Sequence, residues 1–170
     1  MLVGHSLSGT VISQAAEQRP EKIEKLVYLC ALLLPSGKSA IEASQEDSDS
    51  VILKSAEVEE DRGRISLSEE GMKEALYHDC PEEDFERARR LISPQPLAPL
   101  GTPVEVTGAF GGVRRTYVHT TQDRAVSPPA QEKMYTDVPC EKVVSMATGH
   151  LPFFAAPGEL AGHLNSLAKL

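Results

Sequence analysis

A chain of 170 residues is one domain's worth, long enough to bury a single core, and its 41% apolar composition is that of an ordinary globular protein. The formal net charge of −8, with no basic face, argues against a nucleic-acid partner, because phosphate contacts need clustered Lys and Arg. No apolar run is long enough to cross a bilayer, and the start lacks the basic and apolar regions of a signal peptide. Cys30, Cys80 and Cys140 show neither disulfide-framework nor Cys-x-x-Cys metal spacing. The expectation is a cytoplasmic protein with reduced thiols, no membrane association and no metal.

The chain opens on a short apolar run leading into Gly4-His5-Ser6-Leu7-Ser8-Gly9, followed by a helical pattern from Val11 to Gln18. Strand, sharp turn with serine at the apex, then helix is the layout of a nucleophile elbow. The strict pattern expects glycine two residues after the serine. Here Ser8 stands there and Gly9 follows, which is a relaxed match. The helix should stop near Arg19-Pro20, because proline disfavours helix in the residue before it. Lys25 to Leu34 is a continuous apolar run closed by Pro35-Ser36-Gly37, the pattern of a strand buried on both faces of a parallel sheet. Together these elements make a βαβ unit.

From Pro35 to about Gly63 acidic and small polar residues dominate, with short amphipathic pieces at Ala40-Ile41 and Val51-Ile52-Leu53. This stretch reads equally as a solvated excursion or as a lid over the serine. Ser68 starts a capped helix with acids in its first turn, and Asp79-Cys80-Pro81 opens a second helix through Arg90 or Leu91. Ser93 to Pro103 carries four prolines and should be extended or looped. Residues 36–100 are therefore expected to be a small helical cap between core segments 1–35 and 101–170. Arg115 to Thr121 is the third strand, followed by Gln122-Asp123-Arg124. A helix from Ser127 through Tyr135, a fourth strand at Lys142–Met146 and a final amphipathic helix from Pro157 complete the chain.

Ser6, Asp123 and His150 each follow the C-terminal end of an expected parallel strand, the edge where ligands bind in open α/β sheets. The chemistry needs these three types. A serine hydroxyl is a weak nucleophile until an imidazole takes its proton, and a buried carboxylate fixes the imidazole's tautomer. The Leu7 amide, next after the serine, is the expected oxyanion-hole donor. Each residue alone has an ordinary reading as a turn or loop residue; the order and strand-end placement single them out. His5, His78, His119 and His163 compete with His150, but His5 adjoins Ser6 in the elbow and should point elsewhere, His119 lies within a strand, His163 in the last helix and His78 in the cap; Asp79, Asp137 and Glu159 lack the strand-end position of Asp123.

The strings Leu-Val-Gly-His-Ser-Leu-Ser-Gly, Pro-Glu-Lys-Ile-Glu-Lys-Leu-Val-Tyr-Leu, Thr-Thr-Gln-Asp-Arg-Ala-Val and Gly-His-Leu-Pro-Phe-Phe resemble the α/β-hydrolase superfamily. The resemblance is to the branch of plant methylesterases, salicylate-binding esterases, hydroxynitrile lyases and bacterial esterases. Tyr77-His78-Asp79-Cys80 also looks like the cap of the bacterial members. The resemblance implies an α/β fold, the C-terminal part of a hydrolase sheet of about four parallel strands with flanking helices. It implies Ser6 as nucleophile, Asp123 as acid, His150 as base, no cofactor, and a small-molecule ester substrate. His5, Leu151 and Phe153 are the expected substrate-binding residues.

Two departures stand out. The branch's hydroxynitrile lyases place a lysine after the histidine; Leu151 here favours ester hydrolysis over lyase chemistry. The family also has strands before the elbow, one of whose loops supplies the second oxyanion amide, and this chain starts at the elbow strand. The expectation is a truncated or mis-started product, completed by an N-terminal segment, another chain or a homo-oligomer, with an exposed apolar edge at Leu2 and Val3. The alternative is a catalytically inactive fragment or ligand-binding module of the same fold.

Overall fold

The computed structural model describes residues 1–169. The apolar opening forms β1 (Leu2–His5), which turns at Ser6 into α1 (Ser8–Gln18). Gly9, Ile12, Ser13 and Ala16 are the buried face of α1, the i, i+3, i+4, i+7 spacing of an amphipathic helix. A short turn at Pro20 leads into β2 (Lys25–Leu29), whose five residues are all buried. The apolar run continues to Leu34, but the strand does not. Cys30 has φ +37° and bends the chain out of the sheet, so residues 30–34 are buried without being strand.

Residues 36–100 combine helices with a small sheet, where helices alone were expected. A capping box, with Glu42 bonding back to Ser39, starts α2 (Ala40–Glu46). A hairpin of β3 (Ala56–Glu59) and β4 (Arg64–Leu67) turns through Gly63 at φ +58°. Ser68 caps α3 (Glu69–Ala75), and α4 (Glu82–Ala88) starts after Pro81. The proline-rich return is not a plain loop either. It supplies β5 (Gln95–Pro96), which pairs antiparallel to β4, and then α5 (Leu97–Gly101). Pro99 fits in the first turn of α5, where backbone amides have no intrahelical partner to lose.

After α6 (Gly108–Gly111) come β6 (Arg114–Thr120), α7 (Pro128–Asp137) and β7 (Lys142–Met146). The chain then closes with α8 (Pro152–Ala155) and α9 (Pro157–Ala168). The main sheet has the order β1-β2-β6-β7, and every pair is parallel, with Val3 opposite Val27, Tyr28 opposite Tyr117, and Val118 opposite Val144. Alternation along β2 divides the core. Leu26 and Tyr28 pack with Ile12, Ala16 and Met134 of α1 and α7, while Val27 and Leu29 pack with Leu160 and Leu167 of α9. Each buried Val, Leu, Ile or Met among these contributes about 1.5–3 kcal/mol of transfer free energy. Lys25 is buried too, and its Nζ donates to the Leu167 carbonyl at 2.8 Å, at the end of α9. The outer edge of β1 has no strand partner among the described residues, and Leu2 and Val3 are exposed there. No helix among the described residues is long and apolar enough to cross a membrane.

The turn at Ser6 depends on two close approaches. A Cβ on Gly4 would lie 2.8 Å from the Ser8 carbonyl oxygen and 2.9 Å from Ile12 Cδ1. A Cβ on Gly9 would lie 2.5 Å from the Leu32 carbonyl oxygen and 2.9 Å from its nitrogen. The tight contact of α1 on the chain after β2 is therefore made by Gly9, which is why Ser8 can stand where a strict elbow has glycine. Because Leu32 presents backbone rather than a flexible side-chain tip, Gly9→Ala should cost about 1–3 kcal/mol, as overpacking in a tight core does. Urea denaturation checks this; a loss under about 0.5 kcal/mol would mean the two segments can slide apart.

Candidate active site

Ser6 lies between β1 and α1 with φ +53°, a left-handed backbone that costs a non-glycine residue roughly 1–3 kcal/mol. Three hydrogen bonds hold it there. Its amide donates to the Leu29 carbonyl at 3.3 Å, and its carbonyl accepts from Gly9 N at 3.1 Å and Leu32 N at 3.0 Å. The Leu7 amide, at the start of α1, has no acceptor among the described residues.

The structure brings Ser6, Asp123 and His150 together. His150 Nε2 is 2.9 Å from Ser6 Oγ, and His150 Nδ1 is 2.8 Å from Asp123 Oδ2. Asp123, 4% exposed, follows β6, and His150, 2% exposed, follows β7. Asp123 Oδ1 accepts from the amides of Ala125 (2.8 Å) and Val126 (3.0 Å); Oδ2 also accepts from Thr120 Oγ1 (3.0 Å) and Gln131 Nε2 (3.1 Å). Burial alone would push the Asp123 carboxyl up. The His150 ring and the two amides outweigh it and hold the group below its ordinary value. With Asp123 ionised, His150 carries its hydrogen on Nδ1 and presents the Nε2 lone pair to the Ser6 hydroxyl. This geometry can pass a proton from Ser6 to His150.

The His150 backbone is fixed as closely as its ring. Its carbonyl accepts from His5 Nε2 at 2.7 Å and from the Cys30 thiol at 3.3 Å. Because a carbonyl only accepts, His5 carries its hydrogen on Nε2. The His5 ring lies 4.7 Å from that of His150 and meets Phe153 edge-on at 5.1 Å. Leu151 is buried and starts α8, while Phe153 is 38% exposed beside it. Donor atoms of His5, Cys30 and His150 lie within 4.8 Å of one another, a spacing that could hold a metal. Both nitrogens of His150, Nε2 of His5 and the Cys30 thiol are already engaged in the bonds just described. Burial, helped by the Asp123 charge, also pushes the Cys30 thiol well up, which makes it a poor ligand.

The competing residues lie elsewhere or act differently. His163 pairs with Glu159 at 3.6 Å, Asp137 pairs with Lys133, and His119 packs edge-on against Tyr135. His78 and Asp79, by contrast, reach the loops beside the site: His78 Nε2 lies 3.0 Å from the Gln122 carbonyl, and Asp79 Oδ2 accepts from the Gly149 amide at 2.6 Å. Thr120, Gln131 and Cys30 also shape the site and escaped the sequence reading. Gln131 carried a usable signal, a polar residue one turn inside α7 that falls on its buried face. A cavity of about 190 Å³ between α2 and α7, lined by Leu33, Lys38, Asp47 and Val126 among others, contains none of Ser6, Asp123 and His150.

His5 is pushed down to about 4, first by burial and then by the His150 ring. The unfolded chain therefore binds more protons than the folded one between the ordinary value of 6.5 and about 4. Its contribution is complete above that window and is lost as pH falls through it, to the extent of roughly 3 kcal/mol. His5→Gln keeps an N–H donor for the His150 carbonyl without titrating, so its stability should fall less between pH 7 and 4.5. Equal losses in both proteins, by urea denaturation at the two pH values, would show that His5 is not buried neutral.

Comparison with known proteins bears on the family and the fold. The pattern described as "Alpha/beta hydrolase family" matches residues 1–163. Putative methylesterase 11, chloroplastic, of Arabidopsis thaliana is 32% identical over all of this chain, which covers 46% of that protein. The pyrethroid hydrolase of Sphingobium wenxiniae is 30% identical over 95% of the chain, covering 60% of its own length. The chain thus spans about half the length of the curated relatives it matches. A crystal structure of a pyrethroid hydrolase from Sphingobium faniae superposes on 99% of the chain with a TM-score of 0.87 at 26% identity, and 70% of that structure is covered. The chain belongs to the alpha/beta hydrolase family.

Proposed function

We propose that the chain carries the reacting residues of a serine hydrolase that cleaves carboxylic esters through an acyl-serine intermediate. The observation that carries this reading is the continuous hydrogen-bonded line Ser6–His150–Asp123, at 2.9 and 2.8 Å, along one sheet edge. Relatives named methylesterase and pyrethroid hydrolase support it.

Ser6 Oγ attacks the ester carbonyl carbon as its proton passes to His150 Nε2. Asp123 stabilises the imidazolium that forms, and the free Leu7 amide donates to the developing oxyanion. Collapse breaks the carbon–oxygen bond, and the departing alkoxide takes the proton from His150. Water, deprotonated by His150, then attacks the acyl-serine; collapse breaks the bond from the acyl carbon to Ser6 Oγ, which takes the proton back from His150 as the acid leaves. Phe153, partly exposed and edge-on to His5, and Leu151, next to His150 in the chain, offer apolar surface suited to an apolar acyl or alcohol group. The apolar Leu151 next to the base offers no charge to a departing cyanide, which favours ester hydrolysis over lyase chemistry. The free thiols of Cys30, Cys80 and Cys140 support a reducing, cytoplasm-like compartment.

With a p-nitrophenyl ester the chain should give a burst of chromophore followed by slower turnover, and Ser6→Ala should abolish both. Asp123→Asn keeps the shape but no longer enforces the tautomer, so kcat should fall on the order of 10⁴-fold. Equal slow hydrolysis by the chain and Ser6→Ala would overturn the reading, leaving a non-catalytic module of the same fold.

A further inference from the structure

We propose that Asp79, together with His78, is a positioning residue that clasps the loops carrying the acid and the base to the segment that covers them. This inference rests on the proposed hydrolase reading and extends it to residues outside the reacting line. Residues 77–79 follow α3, far along the chain from either loop, yet each consecutive side chain touches a different part of the site. The Tyr77 ring stacks on Phe154 of α8, centroids 6.0 Å apart, just beyond the base. His78 Nε2 donates to the carbonyl of Gln122, the residue before Asp123. Asp79 Oδ2 accepts from the amide of Gly149, the residue before His150, at 2.6 Å.

A bond from an amide to a carboxylate is charge-assisted and stronger than a neutral one. The contact is also close in the steric sense. A Cβ placed on Gly149 would lie 2.6 Å from both Asp79 Oδ1 and His78 Nε2. Gly149 is therefore glycine because two cap side chains occupy the space a larger residue would need, and not because its backbone is left-handed. The Cys80 thiol completes the local arrangement with a weak bond to Asp79 Oδ1 at 3.8 Å.

The consequence concerns geometry more than binding. His150 sits on a loop, and its ring must reach Ser6 and Asp123 at the same time. The carbonyl side of that residue is held by His5 and Cys30, and the amide side of its neighbour by Asp79. Releasing Asp79 frees one end of the loop, and a displacement of about 1 Å at a reacting group costs on the order of 100-fold in rate.

Asp79→Ala should lower kcat on the order of 100-fold with little change in KM. Asp79→Asn, whose amide oxygen still accepts from Gly149, should recover most of the loss. Gly149→Ala pushes the clasp open from the other side and should reproduce the Asp79→Ala defect. The double variant should lose no more than either single one, because the two changes break one contact. In proton NMR, the downfield resonance of the hydrogen between His150 Nδ1 and Asp123 should broaden or vanish in Asp79→Ala and persist in Asp79→Asn. Losses that multiply in the double variant, or equal losses in the Ala and Asn variants, would overturn the clasp. An unchanged resonance in folded Asp79→Ala would overturn it too. If the wild-type chain cleaved no ester, the proposed function would fall, and the resonance would still decide the clasp.

Discussion

The carbonyl of Ser6 is the point from which the site is built. It accepts from Gly9 at the start of α1 and from Leu32 beyond the end of β2, so one oxygen ties two segments that would otherwise diverge. For both donors to reach it, the helix must pass almost in contact with the Leu32 backbone, and Gly9 makes that approach possible. With these constraints met, the left-handed φ at Ser6 is the conformation left to the turn, and the surrounding bonds offset its cost. The same bend in the neighbouring strand, at Cys30, swings residues 30–34 under the helix and points a thiol at the His150 carbonyl. Two adjacent strands that end in left-handed residues thus define both the serine's place and part of the base's support.

The second constraint is a charge buried at the sheet edge. A carboxylate taken out of water needs most of its lone pairs filled, or it binds a proton instead. Asp123 meets that need from three directions: amides of its own turn, Thr120 and Gln131 from the strand and helix that flank it, and His150 from the next loop. Gln131 also bonds the backbone of Thr120 through both ends of its amide, which fixes the rotamer that reaches Asp123. The Asp123 carboxylate is therefore held by the fold itself.

Much of this was legible in the sequence, because it depends on local patterns. The apolar run at Lys25, the spacing along α1 and α9 and the strand-rich stretch at Arg115 each encode one buried surface, so each element was placed, although the strand from Lys25 ends at Leu29 and not at Leu34. Ser6, Asp123 and His150 were legible for the same reason, since a strand end marks its own position. What stayed hidden depends on tertiary contact. The hairpin at Ala56–Leu67 alternates weakly and is mostly polar, so nothing in it distinguishes a small sheet from a solvated loop. The prolines at positions 96 and 99 read as breakers, although both occupy places where a proline costs no hydrogen bond. Asp79 lies 70 residues from its partner and has no strand before it, so no spacing rule could pair it with Gly149.

That last contact changes what the segment between β2 and β6 can be. Its acidic, polar composition suits a covering loop tolerant of change, and along β3 it is partly exposed, while β4 is half-buried throughout. Near His78 and Asp79 it is tied to the two loops that carry Asp123 and His150, by bonds of 3.0 and 2.6 Å. Motion of the cap at that end and integrity of the His150 loop then belong to one equilibrium, because opening the first releases the second. The end that meets Gly149 has to stay closed for Ser6, His150 and Asp123 to remain in line.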